Sequence, residues 1–346
     1  MSLALRRRRT IAARSNPFAD YTLEGNAPTL VMDTEAAKYG LDGVSKAIAE
    51  VVTFTRASTA TYVNSSGVLT SAAIDEIRID HDPATLAVRG MLVEPAATNL
   101  LLNTATLSTQ DVTVTAVEHT LHFTGTGTVT LSGASTAGPL VGTGAGESNR
   151  VSLTFTPTAG TLTCTVSGSV EVAQLEVGTQ SSYYPSTGTQ GTRAKDVPST
   201  LLSAFSFSAT VGTVLVEFST YNRVAGVAYR IGGGTGYNWL YTLGVGAATS
   251  NVFHDGSSNI AILAGASMVS GVAQRYATAF QTDDYAMSND GGAVVTDSLG
   301  NLFTGATAIG YGATEGGATQ LGGHIKKLIY YPARLSNSAL EAWSGE

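Results

Sequence analysis

Charge is scarce in this sequence of 346 residues, and its scarcity excludes several classes of protein. Only 13% of the residues are charged, whereas 43% are hydrophobic and 39 are glycine. A charged coiled coil or a disordered acidic tail needs a much higher charge content, so neither describes this chain. The length suffices for two or three domains with sizeable cores.

Cysteine is nearly absent, which excludes a fold held together by internal disulfides. Cys164 is the single cysteine, and this fits assembly in a reducing cytoplasm. It lies in the alternating segment Thr161–Val166 (TLTCTV), where Leu162 and Val166 share its strand face. We therefore expect Cys164 to be a small buried hydrophobe.

Long apolar runs and broad positive charge are also lacking. No apolar stretch approaches the length that spans a bilayer, and a net charge of −7 disfavours general nucleic-acid binding. The one cationic run consists of Arg6, Arg7, Arg8 and Arg9. It precedes Thr10–Ser15 instead of the apolar segment of a signal peptide, which argues against secretion. We expect these four arginines to dock to protein carboxylates; a solvated tail and DNA contact are the alternatives.

What the sequence does contain is short β-branched segments of alternating hydrophobicity between glycine-rich turns, which predicts an all-β fold. We expect an N-terminal extended arm at 1–50, because Gly40 and Gly43 interrupt its one helix-forming stretch. A connector of short strands at 51–105 and a jelly-roll sandwich at 106–198 follow. A second sandwich occupies 199–346, and its closing strand leads into a short helix capped by Ser336 or Ser338.

Three separated phrases carry a family resemblance. They are Phe54–Tyr62 (FTRASTATY), Asp80–Pro83 (DHDP) continuing to Arg89–Leu102 (RGMLVEPAATNLLL), and Gln174–Gly178 (QLEVG) continuing through Ser182–Pro185 (SYYP) to Thr192–Asp196 (TRAKD). In wording and order they resemble phrases of spike and fibre proteins of tailed bacteriophages. The third phrase is similar to the end of a carbohydrate-binding jelly roll.

The C-terminal half carries a second resemblance. Its last strand, Ile325–Tyr331, is followed by Arg334–Leu340 (RLSNSAL), and this ending is similar to that of concanavalin A-like and laminin-G-like lectin domains. The resemblance implies contact with host-surface glycan.

Candidate sugar-binding residues lie in two nearby stretches. Trp239 and Tyr241 would share a strand face, with Asn238 on the other, and aromatic rings beside short polar groups are typical of saccharide sites. The alternative is that both rings pack in the sandwich core. Asp255 and Asn259 are further candidates, although Asp255-Gly256 also predicts a hairpin turn.

Metal and catalytic signals are weak. Asp283 and Asp284 could hold Ca²⁺, but adjacent aspartates also occur in solvated turns, so no cofactor is expected. Glycosidases need paired carboxylates, and Glu217 stands alone in its strand. We find no nucleophile elbow and no metal-type histidine spacing.

Together these observations predict a non-enzymatic phage virion protein, a head spike or tail fibre assembled in the host cytoplasm. It would dock to capsid, portal or tail proteins and contact host polysaccharide, with neither a membrane span nor specific nucleic-acid binding. By analogy with phage spikes we expect a homo-oligomer, and a trimer in particular. The alternatives are a virion-borne glycan depolymerase and a purely structural collar or connector subunit.

Overall fold

A computed structural model describes residues 16–221, 225–233, 236–242, 246–298, 300, 305–314 and 316–346. Strands dominate it, and the predicted all-β class with two sandwiches is confirmed. The two α-helices are α1 (Ile48–Val51) and α2 (Asn337–Ser344), and single 3₁₀ turns lie at Ala19–Tyr21, Glu147–Asn149 and Leu202–Ala204.

The strands fall into three consecutive groups along the chain. The first group is β1 (Leu30–Asp33), β2 (Lys38–Leu41), β3 (Val44–Ser45), β4 (Thr53–Thr55), β5 (Ala60–Val63), β6 (Leu69–Ala72), β7 (Ile79–His81) and β8 (Val88–Val93). The second is β9 (Ala97–Asn99), β10 (Gln110–Val114), β11 (His119–Thr124), β12 (Thr128–Gly133), β13 (Leu140–Val141), β14 (Val151–Phe155), β15 (Gly160–Ser167), β16 (Glu171–Val177) and β17 (Gly191–Arg193). The third is β18 (Val197–Leu201), β19 (Val211–Thr220), β20 (Gly226–Gly232), β21 (Tyr237–Thr242), β22 (Ala248–His254), β23 (Asn259–Ser267), β24 (Gln274–Gln281), β25 (Asp284–Asn289), β26 (Val295–Asp297), β27 (Ala308–Tyr311) and β28 (Gly323–Tyr331).

The large sandwich consists of two sheets. Sheet I has ten strands, in the order β26-β25-β24-β19-β28-β1-β2-β3, with β8 also paired to β28 and β7 to β8. Sheet II has seven strands, in the order β23-β22-β21-β20-β27-β18-β4. Their main core contains one face of β19, formed by Val214, Val216 and Phe218, together with Tyr229 and Phe253 from sheet II.

The small sandwich, which we call the module, has its own core. A four-stranded sheet, β10-β15-β12-β13, faces a three-stranded sheet, β14-β11-β16. Leu162 and Cys164 lie fully buried in this core, with Val166 packed at its margin, as predicted. Burial raises the pKa of the Cys164 thiol to about 12, so it stays protonated at neutral pH.

The module is an insertion into the large sandwich. Strands before it (β1–β4, β7 and β8) and after it (β18–β28) share sheets I and II. The chain enters the module through β9 and leaves through β17, and these two strands pair antiparallel with Ala97 opposite Arg193. The structure therefore differs from the expected division at 105/106 and 198/199, because Leu101 already belongs to the module core, while Pro198 lies in sheet II.

The expected extended arm at 1–50 is corrected for its described part. Strand β1 pairs with β28, with Leu30 opposite Tyr330, and Leu30 and Met32 are fully buried in the main core. Residues 30–45 thus complete sheet I. The connector expected at 51–105 is likewise part of the large sandwich, because β8 also pairs with β28. Gly90 permits this approach, since a Cβ there would lie 2.7 Å from the carbonyl oxygen of Ile325.

Helix α2 packs on the outer side of sheet I. Ser336 caps it, its Oγ accepting a hydrogen bond from the Ala339 amide at 3.2 Å. Leu335, Leu340 and Trp343 are buried against that sheet. Among the residues that the structure describes, no helix has the length and apolar character to cross a membrane.

Candidate functional site

A row of three aromatic side chains runs along the outer face of sheet II. Alternation along β21 points Asn238 and Leu240 into the sandwich and leaves Tyr237, Trp239 and Tyr241 partly exposed on the other side. The ring centroids of Tyr237 and Trp239 are 4.9 Å apart, and those of Trp239 and Tyr241 are 5.1 Å apart. The core position considered for Trp239 and Tyr241 is therefore wrong, because β21 places Leu240 there instead.

Neighbouring strands extend this row. His254 of β22 stacks on Tyr237 at 4.7 Å with an interplanar angle of 1°, and the Arg230 guanidinium of β20 lies 4.8 Å from the centre of the same ring. We call Arg230, Tyr237, Trp239, Tyr241 and His254 the aromatic face.

The aromatic face continues into apolar surface. Val252 of β22 lies opposite Trp239, and Ile262 of β23 lies opposite Val252 with 52% of its surface exposed. The Trp239 Nε1 atom is covered and has no hydrogen-bond partner among the described residues. A surface with flat rings beside apolar side chains can bind a ligand that has an apolar side.

Asp255 and Asn259 lie at one end of the aromatic face, in the hairpin between β22 and β23. Asp255 Oδ1 accepts hydrogen bonds from the amides of Ser258 at 2.9 Å and Ser257 at 2.7 Å, and these bonds lower the pKa of the carboxyl. Asn259 is exposed and pairs with His254. The predicted hairpin is confirmed, and both side chains stay within reach of a ligand on Tyr237.

Asn238 is corrected, because the structure buries it completely. Its Nδ2 donates to Asn251 Oδ1 at 2.6 Å, and its Oδ1 accepts from the Tyr229 hydroxyl at 3.0 Å. Asn251 in turn donates to Tyr229 and to Thr278 of sheet I. Asn238 therefore belongs to a satisfied polar network inside the sandwich and offers nothing to an outside ligand.

The remaining acidic candidates lie elsewhere. Asp284 forms an ion pair with Arg334 at 2.9 Å, while Asp283 accepts from the Gly300 amide at 3.0 Å, so the two carboxylates are separately engaged. Within the described part of the chain, no group of three or more His, Cys, Asp or Glu side chains is arranged to hold a metal. Glu217 is buried and paired with Arg275 and Lys326.

The cationic run expected to dock to virion proteins lies outside the described residues, which begin at residue 16. This applies to each of its four members, Arg6, Arg7, Arg8 and Arg9. The structure therefore does not bring any of them to a site, and their docking role stays a prediction.

The three phrases meet at a place that the sequence did not reveal. Arg56 of the first phrase, Glu94 of the second and Arg193 and Asp196 of the third come together with Arg78, and each is at most 4% exposed. Arg78 Nη2 lies 2.5 Å from Asp196 Oδ2 and 2.8 Å from Glu94 Oε2. Arg56 Nη1 lies 3.3 Å from Asp196 Oδ1. We call these five side chains the charge junction.

The charge junction and its surroundings attach the module to the large sandwich. Glu94 accepts hydrogen bonds of 2.7 Å from both the amide and the hydroxyl of Ser182. Asn99 of the second phrase bonds the carbonyls of Ala173 and Tyr184 and accepts from the amides of Leu101 and Leu175. These polar residues of the phrases thus have a structural role. The sequence signal that could have indicated it is charge concentrated in short, otherwise apolar segments.

Comparisons with known proteins give distant likenesses only. No protein-family model and no curated protein matches the sequence, so the resemblance to phage spike proteins stays a prediction. One similar solved structure is the CBM40 of the Ruminococcus gnavus IT-sialidase bound to α2,3-sialyllactose, at 21% identity, covering 40% of this chain and 84% of that chain, with a TM-score of 0.36.

Two further solved structures cover more of the chain. A heptameric SAP-like pentraxin from Limulus polyphemus is 9% identical over 72% of this chain and 82% of that one, with a TM-score of 0.31. Domains LG4-5 of the mouse laminin α1 chain are 10% identical over 69% of this chain and 88% of that one, with a TM-score of 0.28. The all-β architecture of this chain is established by its own strand pairing.

Proposed function

We propose that this chain is a non-enzymatic virion spike or fibre protein that binds host-surface glycan on its aromatic face. The observation that carries the proposal is the row of Tyr237, Trp239 and Tyr241, which lies partly exposed along the outer face of sheet II with its rings about 5 Å apart.

The chemistry of the aromatic face suits a saccharide. A pyranose has an apolar side that stacks on an aromatic ring and hydroxyl oxygens that need donors and acceptors. Asp255 supplies an acceptor and Asn259 an amide that can both donate and accept, at the end of the row. A shallow site of this kind binds weakly, and several copies in a homo-oligomer, such as a trimer, would give avidity.

The virion role rests on the three phrases and on the run from Arg6 to Arg9. In this proposal the phrases hold the module on the sandwich, and the cationic run docks to acidic groups of capsid, portal or tail proteins. No cofactor is required for either contact.

A glycan array tests the proposal. We expect Trp239→Ala to weaken binding by about tenfold or more, equivalent to about 1.4 kcal/mol, because it removes the central ring of the row. Tyr62→Ala is the matched control, since Tyr62 is a partly exposed aromatic residue of β5, away from the aromatic face.

Two results would contradict the proposal. Unchanged binding in Trp239→Ala would remove the aromatic face from glycan recognition. Sustained release of reducing ends from host capsule by the purified wild-type protein would replace pure binding by depolymerase activity.

A further inference from the structure

A pocket lies on the side of the large sandwich opposite the aromatic face, between the first turn of the described chain, the outer side of sheet I and the end of α2. Its volume is about 360 Å³, within the range of small-molecule sites. Its lining includes Tyr21, Asp33, Lys38, Trp343 and Glu346. We call it the Tyr21 pocket.

The base of the Tyr21 pocket is fixed by hydrogen bonds. Asp33 is 2% exposed, and its Oδ2 accepts from the Tyr21 hydroxyl at 2.8 Å and from Lys327 Nζ at 3.1 Å. Its Oδ1 accepts from the Ala36 amide at 2.9 Å. The Tyr331 hydroxyl donates to the Tyr21 carbonyl at 2.7 Å. The base is therefore preorganised, and burial with the neighbouring Asp33 raises the pKa of the Tyr21 phenol.

Two polar groups of the pocket remain free to bind a ligand. Trp343 is only 7% exposed, yet its indole Nε1–H forms no hydrogen bond with any described residue. Glu346 is exposed, and among the described residues no cation pairs with its carboxylate. A ligand that satisfies both groups needs an acceptor oxygen for the indole and a positive charge for the carboxylate.

The pocket already binds a cation of this chain. The Lys38 ammonium lies 5.4 Å from the centre of the Tyr21 ring and 2.9 Å from Asp20 Oδ2. Three of its four lining carboxylates are paired with lysines, Asp20 with Lys38, Asp33 with Lys327 and Glu35 with Lys326 at 2.7 Å, so Glu346 carries the unpaired negative charge. An aromatic ring beside carboxylates is an arrangement that recognises ammonium ions.

We propose that the Tyr21 pocket is a second ligand site, specific for an amino sugar whose amine is protonated. The sugar oxygens accept from Trp343, and the ammonium group takes the position near Tyr21 and the rim carboxylates. N-acetylation removes the charge, so an N-acetylated sugar or a neutral hexose is a poor ligand. The site is independent of the aromatic face.

The two tryptophans of the chain allow a specific experiment. In a Trp239→Phe background Trp343 is the sole tryptophan, and its fluorescence reports on the Tyr21 pocket alone. We expect protonated glucosamine to change this emission saturably, and N-acetylglucosamine and glucose to leave it unchanged.

Two further variants in the same background, one at Glu346 and one at Lys38, complete the test. Glu346→Gln should weaken glucosamine binding by about two- to fivefold, since it removes one exposed charge contact. Lys38→Met should strengthen binding by a similar factor, because the competing internal ammonium is lost. Absence of a fluorescence response, equal responses to glucosamine and glucose, or weaker binding in Lys38→Met would each overturn the proposal. If Trp239→Ala left binding on the glycan array unchanged, the proposal for the aromatic face would fail and the proposal for the Tyr21 pocket would stand.

Discussion

At the scale of single residues, the charge junction places five ionisable side chains where burial is costly. Three arginines and two acids are held almost entirely away from water, which is favourable only because each charge meets an opposite charge and hydrogen bonds. The sequence could not predict this, because a lone charged residue in or beside a short strand ordinarily points to solvent. These charges gain their partners only because the fold brings together Arg56, Glu94 and Asp196, which are far apart in the sequence.

Glu94 provides a prediction about pH. Burial alone would raise the pKa of its carboxyl, but Arg193, Arg78 and the Ser182 hydrogen bonds outweigh burial and hold the pKa at about 2, below the ordinary 4.5. The ionised form therefore stabilises the fold above about pH 4.5, and this contribution is lost as the pH falls through about 2.

Urea unfolding of wild type and Glu94→Gln measures the effect. We expect the difference in free energy of unfolding between the two proteins to shrink by about 2 to 3 kcal/mol between roughly pH 5 and pH 2.5. Glu50→Gln, at an exposed carboxylate, should show no such change. A difference that stays constant with pH would contradict the depressed pKa.

At the scale of elements, long regular segments were predictable and short ones were not. The alternation of β19 and the helix α2 with its packing residues were visible locally, since each repeats over eight or more residues. Strands β1 to β3 have two to four residues each, and their partner β28 lies about 300 positions away. No local pattern could show that pairing.

The aromatic face illustrates the same limit. Alternation along β21 placed Trp239 and Tyr241 on one side and Asn238 on the other, as the structure has them. Which side faces the core depends on the neighbouring strands, because Tyr229 of β20 and Phe253 of β22 point inward beside Leu240. One strand read alone cannot supply that information.

Strand β1 provides a prediction about stability. Leu30→Ala should lower the free energy of unfolding by about 2 to 5 kcal/mol, because it leaves a cavity in the main core. Val44→Ala in β3 is the control, since Val44 is 58% exposed and its truncation should cost less than about 0.5 kcal/mol. Chemical denaturation of both variants checks this. Equal, small effects would restore the interpretation of residues 30–45 as a loose arm.

At the scale of the whole molecule, the sequence predicted two sandwiches but not their connection. We expected them to follow one another, because composition changes little along the chain and no linker-like stretch marks an insertion. The structure instead closes one sandwich from residues on both sides of the other, with β9 beside β17 at the crossing.

This topology provides a prediction about deletion. Replacing residues 98–192 with a short glycine-rich linker should leave the large sandwich folded, since the two cut ends already lie side by side. We expect the melting temperature to fall, because Glu94 loses its Ser182 partner, and glycan binding by the aromatic face to persist. Circular dichroism and the glycan array measure both. An unfolded product, or a folded product without binding, would show that the module contributes directly.

The paired strands β9 and β17 also determine how the molecule carries tension. In the proposed role, a force applied between the start of β1 in sheet I and the aromatic face on sheet II would pass through the large sandwich. The module is joined to the large sandwich by two adjacent antiparallel strands. Such a force would therefore rotate the module as a whole and would not stretch it. The hydrogen bonds inside the module lie outside that path, so in this role the load would fall on the strand pairing of sheets I and II.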